Sequence, residues 1–221
     1  MKFRGEEVTF LGWLDNVWYH FKAGIIIGAF ALVILVVGLT QLVTRDEHDV
    51  FVYCVGDHGL SAQAIDEFTQ EMQNCFAVDA NGDGKSVVDL KFDKFVMTED
   101  ANGKRKVYNP SEQFSITERF NLELASGECV VYIMEPAFFA GNLDYLASLE
   151  EELGYLPEKA VDGKGIRLSD IDSYKATTTL GYFPEDYIIC LADREDRFDD
   201  AYYDGNVAFF KNLIEYNLVK N

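Results

Sequence analysis

One stretch of the sequence has the spacing of a cation loop. In Asp79-Ala80-Asn81-Gly82-Asp83-Gly84-Lys85, oxygen-bearing side chains stand at positions 1, 3 and 5, glycine at 6, and Lys85 at 7, where a backbone carbonyl serves. Alternating oxygen donors suit calcium, a hard cation, because a tight loop turns successive odd residues toward one centre. The second half of the pattern is missing. Position 9 is Val87, and position 12, where a bidentate Glu belongs, is Leu90. Asp89 or a distant acid would have to complete the shell, with an affinity no better than about 10⁻⁴ to 10⁻³ M. The rival reading is a polar turn, since Asn-Gly and Asp-Gly are strong turn formers, and it is the stronger of the two.

Other reactive residue types are scattered. Asp193, Glu195, Asp196, Asp199, Asp200 and Asp204 follow an apolar run, near where ligands bind in open α/β sheets. Arg194 and Arg197 interrupt them, so a solvated loop ahead of a helix is favoured. Tyr202 and Tyr203 beside them suit a pocket wall or core packing equally. Of the three histidines, His20, His48 and His58, only His58 in Gly56-Asp57-His58-Gly59 sits at the end of an apolar run, where sites form. Neither Gly-x-Ser-x-Gly, His-Glu-x-x-His nor a phosphate-cradling loop occurs. Abundant acids leave glycoside hydrolysis open, but both tryptophans, Trp13 and Trp18, lie near the N-terminus, away from any sugar site further along. The expectation is a non-enzymatic protein with no cofactor beyond a candidate calcium ion.

The elements that would position these residues begin after an anchor. No charge interrupts Ala23–Val43, and about 20 apolar residues in a helix span the ~30 Å hydrocarbon core of a bilayer. The run is too long for a cleaved signal peptide and ends without a small-x-small cleavage site. Lys2, Arg4 and Lys22 precede it and Arg45 closely follows, which predicts a cytoplasmic N-terminus and an extracytoplasmic remainder. Phe10, Leu14, Val17, Trp18 and Phe21 recur at helical spacing, as in a short amphipathic helix lying on the inner leaflet. The expected organisation is a cytoplasmic amphipathic segment (1–22), a transmembrane helix (23–43), a linker (44–49) and an extracytoplasmic α/β domain (50–221). The whole net charge of −19 falls beyond the span, so nucleic acid is not an expected partner. The bilayer is, through residues 23–43; a membrane protein or a small solute fits as a further partner.

Three runs are apolar on both faces: Val50–Val55, Cys129–Met134 and Tyr187–Ala192. Such runs suit central strands of a sheet covered on both sides. Ser61 can cap a helix carrying Ile65, Phe68 and Met72. Ser115 and Glu118 resemble a capping box for a helix carrying Ile116, Phe120 and Leu124, with Gly127 as its stop. Val88, Leu90 and Phe92 alternate with polar residues as in a half-exposed strand. Asn102-Gly103 suits a hairpin turn, with Lys106-Val107-Tyr108 pairing back. Little regular structure is expected from Glu150 to Pro184, and a last helix presents Val207, Phe210 and Ile214. Cys54, Cys129 and Cys190 read as buried thiols within strands, although four cysteines, counting Cys75, also permit two disulfides. The predicted fold is a three-layer α/β domain with a mixed, largely parallel sheet, behind one N-terminal transmembrane helix.

The order of helix, Leu124-Ala125-Ser126-Gly127-Glu128, apolar strand and Leu143-Asp144-Tyr145-Leu146-Ala147-Ser148-Leu149 resembles one lobe of bacterial extracellular solute-binding proteins, over about residues 50 to 155. It departs in having Cys129-Val130 where that family has Pro-Asp. The Trp-bearing leader and single span are similar to membrane-anchored proteins of Gram-positive, Firmicutes-type bacteria. The resemblance implies a tethered domain that binds a solute. The alternatives are a calcium-stiffened surface module, held by Asp79, Asn81, Asp83 and Lys85, and an extracellular hydrolase.

Overall fold

A computed structural model of the chain describes residues 2–3, 6–7, 10–43, 48–99, 103, 105–107, 109–194 and 198–216. It divides into two compact units, Met1–Asp46 and Glu47–Asn221.

In the first unit, β1 (Lys2–Phe3) pairs antiparallel with β2 (Glu6–Glu7), and α1 runs from Phe10 to Val43. The interfacial stretch and the apolar stretch are thus one unbroken helix, where the sequence suggested two pieces. No proline interrupts the join at Lys22-Ala23, so backbone hydrogen bonding carries straight through. Val17–Thr40 has a mean hydropathy of 2.7 and is long and apolar enough to cross a membrane. Thr40 Oγ1 donates to the carbonyls of Val36 and Val37, which keeps this hydroxyl satisfied within the helix itself.

The second unit runs β3 (Val50–Gly56), α2 (Ala62–Cys75), β4 (Val88–Lys94), β5 (Met97–Glu99), β6 (Arg105–Val107), α3 (Pro110–Ser126), β7 (Val131–Met134) and α4 (Pro136–Gly141). It continues through α5 (Leu149–Leu153), β8 (Ala160–Val161), β9 (Gly165–Arg167), α6 (Asp172–Ala176), β10 (Ile188–Leu191) and α7 (Asp200–Ile214). Six strands form one mixed sheet in the order β4-β3-β7-β10-β9-β8. β3 is parallel to both β4 and β7, while β10 runs antiparallel between β7 and β9.

The side chains sort by the two-residue period of a strand. Cys54 and Phe92 are register partners on one face. There Phe92 stacks on Phe183 at 6.0 Å, and Phe183 meets Phe68 of α2 at 5.3 Å. Phe76, just past α2, meets Phe209 of α7, so both helices lie on this side. On the other face Tyr53 and Tyr132 pack edge to face at 5.9 Å, and Phe120 of α3 sits on Tyr132 at 5.6 Å. The result is helix, sheet, helix, with the core on both sheet faces.

Local signals set most boundaries. Ser61 Oγ accepts from the Ala64 amide and starts α2. Gly127 adopts φ 67° and ends α3, a conformation only glycine takes without strain. The start of α3 differs from the capping box at Ser115. Asn109 is the cap, accepting from the Ser111 amide, and Pro110 opens the first turn. Ser115 lies inside the helix and donates to the Ser111 carbonyl. The hairpin also differs: β6 pairs across the Gly103 turn with its nearer neighbour β5, in a separate two-stranded sheet, rather than with the Val88 strand. Asn102 and Tyr108 lie outside the described residues.

The stretch from Glu150 to Pro184 holds more structure than its glycines and prolines suggest. β9 pairs with β10, and α2 ties down the segment beyond α6. Glu71 accepts from the Thr178 amide and from both the amide and hydroxyl of Thr179, while Glu67 accepts from the Tyr182 hydroxyl at 2.6 Å.

Candidate functional site

The Asp79–Lys85 loop is built around an acid the sequence pattern did not reveal. Asp49 stands just before β3 and is 1% exposed. Its Oδ1 accepts from the amides of Ala80 (2.9 Å) and Asn81 (3.2 Å), and its Oδ2 from Val87 (2.8 Å). Within the loop, Asp79 accepts from the amides of Gly82, Asp83 and Gly84, Asn81 from Asp83, and Asp83 from Lys85. Gly82 and Gly84 take φ of 74° and 85°, so the chain can wind tightly enough to aim these amides inward. Asn206 of α7 donates to the Asp49 carbonyl, and Gly205 leaves room for Ala80, whose Cβ would stand 2.6 Å from any side chain there. The loop is therefore a set of nested Asx turns pinned to a buried carboxylate and packed on α7. Among the described residues no three His, Cys, Asp or Glu side chains gather as a metal centre.

At the carboxyl ends of the parallel strands, the Phe95 amide donates to the Gly56 carbonyl and the Glu135 amide to that of Val55. This is the switch point of the sheet, since β3 is followed by α2 toward β4 and the chain then crosses to β7 on the other side. Tyr187 fills it. Its phenol lies where a Gly56 side chain would stand, donates to Asp57 Oδ1 at 2.8 Å and accepts from the His58 amide at 3.1 Å. Burial, then the bond to Asp57, pushes the Tyr187 phenol well above its usual range. Glu135 caps α4 by accepting from Ala137 and Phe138. Among the described residues no serine, cysteine or carboxylate hydrogen-bonds the His58 imidazole.

Asp199, Asp200 and Asp204, at the start of α7, are taken up in structure. Asp199 caps α7 through the amides of Ala201 and Tyr202. Arg194 bonds Asp200 (3.0 Å) and Asp204 (2.9 Å) and lies 4.8 Å from the centre of the Tyr203 ring. Tyr203 donates to the Ala192 carbonyl and Tyr202 to that of Glu128, so both rings are packing residues with satisfied hydroxyls. Glu195 and Asp196 lie outside the described residues. Asp193 joins this region through its amide, which donates to the Tyr145 carbonyl.

A cavity of about 250 Å3 opens elsewhere, lined by Tyr155, Pro157, Glu158, Lys159, Ile166, Asp170, Ile171, Asp172 and Ile214. Ile166 of β9 and Ile171, just before α6, are buried, and Ile214 closes α7. The Tyr155 hydroxyl donates to Glu215, and burial followed by that carboxylate pushes its pKa up to about 12. Lys159 pairs with Asp170 at 3.3 Å. The cavity thus has an apolar floor and a charged rim. It is made by two nearby segments of the irregular stretch, 155–159 and 166–172, and by the last turn of α7, a convergence that no local pattern announces.

No family model, curated protein or solved structure matches the chain.

Proposed function

We propose that the chain is a membrane-tethered, extracytoplasmic binding domain for a small solute, related in build to one lobe of a solute-binding protein. The observation that carries this reading is the cavity at the end of α7, with its isoleucine floor and charged rim. Ligand sites combine an apolar enclosure with a few polar groups that fix orientation. At about 250 Å3 this one falls just below the ~300 Å3 at which drug-sized sites begin, so it suits a small metabolite. Tethering is supported by α1, and an outward domain by the excess of Lys and Arg before the span. The test is a thermal-shift screen of the full-length chain in nanodiscs against cationic, anionic and neutral solutes. At least one class should raise the melting temperature, and Ile214→Trp, which fills the cavity, should abolish the rise. A flat response across the panel would count against binding.

A further inference from the structure

We infer that the cavity selects a small organic cation: one ammonium group on a short apolar body. This assignment rests on the binding reading above. Among the lining residues Lys159 is the one base, and its ammonium is already paired with Asp170. Glu158 and Asp172 are the two remaining acids, and among the described residues neither carboxylate has a hydrogen-bond or ion-pair partner. An occupant therefore meets two unneutralised carboxylates at the rim. Beneath them lie Ile166, Ile171 and Ile214, which offer contact to carbon and no hydrogen bonds. Tyr155 adds an aromatic wall whose hydroxyl is fixed by Glu215, and an aromatic ring favours a cation near its face.

Other solute classes fit less well. An anion meets like charge on a unit that carries the whole net charge of −19. A divalent metal would need several converging oxygens, and among the described residues no such group gathers. A sugar needs many hydrogen-bonding partners, which the isoleucine floor does not supply. A monovalent ammonium uses both halves of the site, its charge at the rim and its carbons on the floor.

The experiment is an NMR titration of the full-length chain in zwitterionic nanodiscs, with n-butylammonium, n-butanol and butyrate as probes of one size. Butylammonium should shift the methyl resonances of Ile166 and Ile214 and bind several-fold to about tenfold tighter than butyrate, a ratio that two exposed charge contacts supply. The double variant Glu158→Gln/Asp172→Asn changes only partnerless carboxylates and should keep the fold while losing about tenfold in butylammonium affinity. Equal binding of the three probes, or an unchanged double variant, overturns the cation assignment. If butanol or butyrate shifts those methyls and butylammonium does not, the binding reading stands and the assignment falls. If no solute of the wider panel moves them, both fall together.

Discussion

Asp49 holds three backbone amides on one carboxylate. Replacing it with alanine takes the acceptor from three part-buried donors, each costing up to roughly 1–3 kcal/mol if water does not relieve it. Partial relaxation of the loop should bring the total for Asp49→Ala to about 2–4 kcal/mol in chemical denaturation. Asp83→Ala removes one exposed acceptor and should cost under about 1 kcal/mol. The same two variants decide the role of the loop. As a polar turn, it should give one melting temperature in calcium and in chelator. A rise with millimolar calcium that disappears in Asp83→Ala would make it a cation loop instead. The contrast between Asp49 and Asp79 also marks what a motif can reveal. Asp79, Asn81 and Asp83 stand out because their spacing is local, whereas Asp49 lies far earlier in the chain and enters the loop only through the packing of α7 and β3.

For the elements, legibility follows the range of the forces that make them. The three strands apolar on both faces, the Ser61 cap and the Gly127 stop all depend on neighbours within a turn or a strand, and each stands in the structure where its residues place it. β9 does not, because Gly165-Ile166-Arg167 has no strand pattern and is extended by pairing with β10 on one side and β8 on the other. The cavity was hidden for the same reason: its floor draws on β9, on the residue before α6 and on the end of α7, and the pairing of β9 brings Ile166 to it. The α3 boundary is a different case, a competition between two local signals. Ser115 and Glu118 have the right types, but Asn109-Pro110 offers a cap and a pre-set φ more than a turn earlier, so the longer helix wins. Asn109→Ala should therefore cost about 1 kcal/mol, and Ser115→Ala should be neutral or slightly stabilising, both measured by urea denaturation.

At the scale of the whole molecule, the question is which side of a membrane the second unit occupies. The four cysteines are free; Cys54, Cys129 and Cys190 are buried, and Cys75 at the end of α2 is exposed. That gives the chain a built-in reporter of side. A membrane-impermeant maleimide should label intact cells through Cys75, and Cys75→Ser should erase the signal. Labelling only after permeabilisation would reverse the proposed orientation. Partial burial and the nearby Glu71 raise the Cys75 pKa, so mildly alkaline buffer speeds the reaction. The sheet order sets a constraint of another kind. β10, from near the end of the sequence, lies between β7 and β9, both of which are synthesised before it. Until Ile188–Leu191 leaves the ribosome, β7 has a bare edge of amides and carbonyls, and β9 has no partner but the two residues of β8. Non-local pairing of this kind is slow and exposes strand edges while it waits. A nascent chain would thus carry an unfinished sheet until Ile188–Leu191 emerges, open to chaperones, to proteases and to neighbouring copies.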